Sequence, residues 1–172
     1  MTDTARQFFD RVVEPAIFEY NEAEVALTEA LSGSAEKIDD AREMALRRAC
    51  SAAVELHQFA DRVLSVSPNW SHGDNLKGLR TWLSDTHVRR VNGEPVEDLE
   101  ILHDVADAFK HAKLTRHCKQ VQSDRAVVFL ATGYGELSSG EGKYGGVEQV
   151  VVRLKNGDLR ALSSVLWTVR DA

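Results

Sequence analysis

Between Ala35 and Leu64 the residues Ile38, Ala45, Ala49, Ala53, Leu56, Ala60 and Val63 return at helical intervals, and no other feature limits the possible folds as strongly. Such a stripe predicts a helix with one face turned inward, and its alanines admit a second helix at close range. Ser65-Val66-Ser67-Pro68-Asn69 ends it. Upstream, Phe8, Val12, Ile17, Tyr20, Val25, Ala26 and Leu31 predict one long helix over 4–31, which Pro15 should kink or restart. Gly33 and Ser34 suit the end of that helix and the start of the next.

Two shorter helices follow. The first, over about 74–87, opens after Gly73 with Asp74 as its cap and turns Leu76, Leu79 and Leu83 inward. Beyond the Asn92-Gly93-Glu94-Pro95 turn, the second runs over about 96–117. Its apolar arc of Leu99, Leu102, Ala106 and Phe109 is widened by Ile101, Val105, Ala108 and Ala112, which predicts burial against two neighbours. After Asp124 the period becomes extended. RAVVFLA at 125–131 reads as a well-covered strand, and Val150, Val152 and Leu154 alternate along a second strand before the Asn156-Gly157 hairpin signal. Residues 159–169 supply the return strand. The expected fold is α+β: a kinked up-down four-helix bundle over 1–120, then a C-terminal three-stranded antiparallel β-meander over 121–172, in one domain.

With 172 residues, 43% of them hydrophobic, the chain can bury a core without metals or disulfides. Its two cysteines, Cys50 and Cys118, form no metal or redox motif, which fits a reducing compartment. The N-terminal segment lacks the unbroken apolar stretch of a signal peptide, and no run approaches the roughly 18 apolar residues of a spanning helix. The expectation is a cytoplasmic protein with no membrane partner. The net charge of −6 disfavours a broad nucleic-acid surface, but it is unevenly placed. Residues 1–109 carry 21 acids and 11 bases, whereas residues 110–125 carry five bases and one acid. The basic segment complements the end of its own helix, and it could also meet phosphate or an acidic face.

Chemistry-bearing residues concentrate on the second and fourth helices. His57 and Asp61 are four apart, and His103, Asp107 and His111 repeat that spacing, so each set shares a helix face. Imidazole and carboxylate on facing helices are the usual donors of a metal site in a bundle, with Glu19 or Glu22 as additions. Chance alone predicts roughly two such His/acid pairs in this composition, and the sequence holds three, so spacing does not single the site out. On a helical wheel His103, Asp107 and His111 fall opposite Leu102, Val105 and Phe109, as a solvated ladder would. No metal or cofactor is therefore assigned. Cys50 reads as a small packed residue, and Cys118 lies beside His117, Lys113, Arg116 and Lys119, whose charge would activate an exposed thiol. The 133–146 loop holds six of the eleven glycines, but no helix follows it to cradle a phosphate, and it reads as a hairpin tip.

LHQFADRV at 56–63, LHDVADAFKHAKL at 102–114 and VVVRLKNGDLRALSSVLWTV at 150–169 together resemble a set of uncharacterised bacterial proteins. In these a helical His-x-x-x-Asp and an Asp-Ala-x-Lys-His segment precede a hairpin with an Asn/Asp-Gly turn. The resemblance draws attention to His57, Asp61, Asp107, Lys110 and His111 as candidate site residues. The bundle also looks loosely like the HEPN superfamily, many of whose members are metal-independent ribonucleases with an Arg-x4-6-His motif. Arg80 and His87 match that spacing here, on the third helix rather than the last.

The sequence assigns no specific activity. The reading it favours is a binding or assembly module, expected to form a homo-oligomer or to bind another protein through its amphipathic helices and open strand edge. One alternative is a HEPN-like ribonuclease or RNA-binding protein using the 110–119 basic segment, with His111, Lys110 and Arg116 or the Arg80/His87 pair handling a phosphate. Another is a metal-binding bundle built from His57, Asp61, Asp107 and His111.

Overall fold

The structure is a computed structural model describing residues 3–66, 75–89, 96–111, 114, 118–131, 137, 143 and 147–172. Its elements are α1 (Asp3–Phe8), a π-helical turn (Phe9–Val13), α2 (Glu14–Ala30), α3 (Ala35–Val66), α4 (Leu76–Thr86), α5 (Asp98–His111), β1 (Val127–Ala131), β2 (Glu148–Arg153), β3 (Leu159–Ala161) and α6 (Leu162–Arg170). The α+β class and the C-terminal antiparallel sheet agree with the sequence reading. The helix count does not, because a further helix follows the sheet.

Proline explains the interruption of the first helical rod. Pro15 has no N–H to continue the ladder, and the chain accommodates it by widening one turn, where the Glu14 N–H reaches back to the Phe9 carbonyl. A new α-helix restarts with Pro15 in its first turn, where the missing donor does no harm.

Helix α3 is the spine of the molecule, packed against α1, the π turn, α2, α4, α5, α6 and β2. Ala45, Ala49, Ala52 and Ala53 are fully buried along it. Without longer side chains on that face, α2 lies close and interleaves Ile17, Tyr20 and Leu27 with the alanines in the core. A buried carboxylate ties this helix pair to the sheet: Glu24 Oε1 accepts from the Tyr20 hydroxyl at 2.7 Å and from the Val150 N–H of β2 at 2.8 Å. Lys143 Nζ donates to the Glu24 carbonyl at 2.6 Å and to Thr28 Oγ1 at 2.9 Å.

The sheet has order β1-β2-β3, with Val127 opposite Val152 and Ala131 opposite Glu148 in one pair, and Val151 opposite Ala161 in the other. The central strand β2 is the covered one, since Gln149, Val150, Val151 and Val152 are all buried. β1 lies at the edge with its middle half-buried, so the expectation of a well-covered first strand is corrected. The Asn156-Gly157 turn forms as expected, with Gly157 at φ +93° and Asn156 Oδ1 accepting from the Asp158 N–H at 2.9 Å. The return strand is shorter than expected. It ends at Ala161, and residues 162–170 are helical because Leu162, Val165 and Leu166 bury one helical stripe.

Two buried acids on α5 fix that helix. Asp98 receives Arg160 through Nε at 3.0 Å and through Nη2, with both residues nearly inaccessible. Asp104 Oδ2 accepts three consecutive backbone N–H groups, from Lys119, Gln120 and Val121, at 2.7, 2.5 and 2.9 Å. Helix α5 is therefore covered by α3, by α6 and by the 118–121 segment.

Because the alanine face sets the α2–α3 spacing, enlarging it should force the helices apart. Ala49→Leu is expected to lower unfolding stability by about 1–3 kcal/mol in urea melts, whereas Ser51→Leu on the exposed side of the same helix should change it by less than about 0.5 kcal/mol.

Candidate functional site

Three helices bring nitrogen-bearing side chains to one point. His57 occupies α3 one turn beyond Ala53, on the flank of the buried stripe, and is only 9% exposed. Arg80 stands on α4, which begins where Asn75 Oδ1 caps the Gly78 N–H at 3.0 Å and which docks through Leu79, 3% exposed. His103 stands on α5 beside Leu102, which is buried in the core, and Asp104, which is anchored to the 119–121 backbone. His57 Nε2 lies 2.8 Å from His103 Nδ1 and 2.8 Å from an Arg80 terminal nitrogen, Nη2. The imidazole rings are nearly parallel, at 22°, with centroids 5.0 Å apart.

The proton inventory assigns roles within this junction. A guanidinium can only donate, so His57 Nε2 is the acceptor and its proton resides on Nδ1. The 2.8 Å imidazole–imidazole contact needs one hydrogen, which His103 Nδ1 supplies, so the single lone pair of His57 Nε2 is shared between two N–H donors. The second Arg80 terminal nitrogen, Nη1, lies 3.4 Å from that same protonated His103 Nδ1 and finds no acceptor there. His57 Nδ1 is buried without a hydrogen-bond partner among the described residues.

Electrostatics keep His57 neutral. Burial pushes its pKa down to about 3, and Arg80, Lys110 and His103 add to the effect against the opposing field of Asp107. Burial likewise lowers the Arg80 pKa, while Asp61 and Asp107 favour its charge through space. Among the described residues no carboxylate lies within 4.0 Å of Arg80, and its polar contacts are the two imidazoles.

The residues singled out in the sequence divide between this junction and its surroundings. Asp107 lies 3.7 Å from His103 Nε2 and 3.7 Å from Lys110 Nζ. The ladder expected to face solvent is thus corrected, because α5 has neighbours on several sides and His103 and Asp107 are half-buried against them. Asp61 is exposed and reaches Arg80 only by its field. His111 is exposed at the end of α5. His87 packs against the Trp82 ring, 4.6 Å between centroids, so Arg80 turns to the two histidines on other helices instead. Glu19 pairs with Arg48. Cys50 is half-buried, with its pKa raised by burial, and Cys118 Sγ lies 3.4 Å from Lys155 Nζ. Arg116 and most of the glycine-rich loop fall outside the described residues, as does much of the 110–119 segment.

His57, His103 and Asp107 offer one ligand atom each, all within 4.8 Å of one another, which is close enough for a metal ion. Two features oppose that use. The Arg80 guanidinium already takes the His57 Nε2 lone pair a cation would need, and His57 Nδ1 lacks the acceptor that orients metal-bound imidazoles.

The described residues also enclose a cavity of about 370 Å³ against the junction, with His57 and Arg80 in its wall. Its remaining surface is mostly apolar, from the π turn, α3, α4, α5 and the end of α6. Arg170, the other guanidinium on this wall, is held by Glu14 at 2.6 Å and Asp171 at 2.8 Å. No helix among the described residues is long and apolar enough to cross a membrane. No protein-family model matches the chain, and no curated protein or solved structure is similar to it.

A depressed imidazole pKa carries a defined pH signature. The unfolded chain takes up a proton on His57 near pH 6.5 while the folded chain resists until about pH 3, so stability falls as pH drops through that window. Comparing pH 6.5 with pH 4.5 in urea melts, His57→Gln is expected to lose about 2 kcal/mol less than the unaltered protein.

Proposed function

We propose that the domain is a binding module for a small anionic ligand, received by Arg80 at the junction of α3, α4 and α5. One observation carries this reading: a half-buried guanidinium rests on a neutral imidazole, with no carboxylate in ion-pairing distance among the described residues. A guanidinium has five N–H donors, of which His57 takes one. Arg80 lines the adjoining cavity, so its charge lies beside whatever enters there, where the low dielectric strengthens attraction for an anion.

The reading differs from the assembly module expected from the sequence, whose partner was another protein or a second copy, by placing a small ligand at the junction. The metal-bundle alternative would need Arg80 to vacate the imidazoles. The ribonuclease alternative draws on Arg80 as well, but without the His87 partnership that suggested it. A carboxylate or phosphate group satisfies the junction as it stands, because it supplies the acceptors that the guanidinium lacks.

Titration of acetate and of inorganic phosphate, followed through the Arg80 Nε–H resonance by NMR, should give a saturable shift. Arg80→Gln is expected to weaken binding of either anion at least about tenfold, equivalent to about 1.4 kcal/mol. Tight zinc binding at stoichiometric protein, unaffected by Arg80→Gln, would favour the metal reading instead.

A further inference from the structure

We infer that the ligand is a monocarboxylate with an apolar body, its carboxylate on Arg80 and its body filling the cavity beside it. The inference rests on the anion-binding reading above and adds the ligand's class and size. Three observations converge on it.

The first is the character of the wall. Phe9, Phe59, Val63, Trp82, Leu83 and Leu99 line the cavity, drawn from four separate elements. A polar metabolite or a polyphosphate would lose its hydration there with few partners in return. An aliphatic or aromatic body meets dispersion contacts along that wall.

The second is the charge count. Of the two guanidinium groups that the described residues bring to the wall, Arg170 is already paired with Glu14 and Asp171, while Arg80 has no carboxylate in contact among the described residues. A singly charged anion matches one such cation, and a planar carboxylate matches the guanidinium fork. A dianion would leave one charge to desolvate without a partner.

The third is size. A cavity of about 370 Å³ lies at the small end of the roughly 300–1,000 Å³ range of small-molecule sites, which suits a body of medium chain length. A straight-chain acid of ten carbons, or an aryl-alkanoic acid of the same bulk, fits that space. Longer acyl chains extend out through its open side and gain little further contact.

A homologous series separates these claims. Straight-chain carboxylates of two to ten carbons, and the alcohols of matching length, are titrated into the full chain by calorimetry and by the Arg80 Nε–H resonance. The expected result is an affinity that rises about fourfold per added methylene (about 0.8 kcal/mol each) and stops rising near ten carbons. Alcohols and the Arg80→Gln variant should bind the long members at least tenfold more weakly. Leu83→Trp, which fills the cavity from α4, should lose the gain with chain length while still binding acetate. Affinity independent of chain length, with acetate and phosphate still shifting Arg80, overturns this inference and leaves the anion reading in place. Alcohols binding as tightly as the acids overturn it too. If no anion of any length shifts Arg80, both fall together.

Discussion

The alanine face of α3 is the constraint on which the rest depends. With Ala45, Ala49, Ala52 and Ala53 buried, α2 packs close, and the same helix carries α4, α5 and α6 on its other sides. His57 lies one turn beyond Ala53, where the stripe passes from close helix packing to the border of a cavity. A bulkier face would push the surrounding helices outward, and contacts of 2.8 Å at the junction would not survive a shift of an ångström. The spine therefore sets the geometry of the site as well as the stability of the fold.

The treatment of arginines across the molecule gives Arg80 its meaning. Arg160, 6% exposed, is bidentate to Asp98; Arg42 clasps Glu148 at 2.8 and 2.5 Å; Arg170 is held by Glu14 and Asp171. Arg160 and Arg170, the two drawn away from water, follow the rule that a cation so removed takes an anion with it. Arg80 departs from the rule, resting on neutral imidazole nitrogen beside an apolar cavity. Departures of this kind from local consistency concentrate where a fold has been shaped for a ligand.

Much of this architecture was legible in the sequence, for identifiable reasons. The α3 stripe and the Asn156-Gly157 turn are strong local signals, and both form where expected. Helix α6 was missed because LRALSSVLWTV is apolar enough to read as a strand, although Leu162, Val165 and Leu166 already carried the helical period. His57, Asp107 and Lys110 were legible as residues of interest. Their arrangement was not, because a helical wheel records the faces of one helix and says nothing of how many neighbours cover them. Arg80 and His103 join His57 from 23 residues away on α4 and 46 residues away on α5, distances at which spacing carries no information. The surrounding clue was compositional: Leu79, Trp82 and Leu83 leave Arg80 as the cation among the apolar side chains of that turn of α4.

The account turns on His57 being a neutral acceptor that holds Arg80 in place, and the imidazole nitrogens report this directly. Long-range ¹⁵N–¹H correlation spectra of the histidine rings at pH 7 distinguish the two tautomers and the charged form. The account predicts a neutral His57 with its proton on Nδ1 and an unprotonated Nε2. A His57 ring protonated on both nitrogens, or carrying its hydrogen on Nε2, would mean that Arg80 is not bound to it and would contradict the site as described.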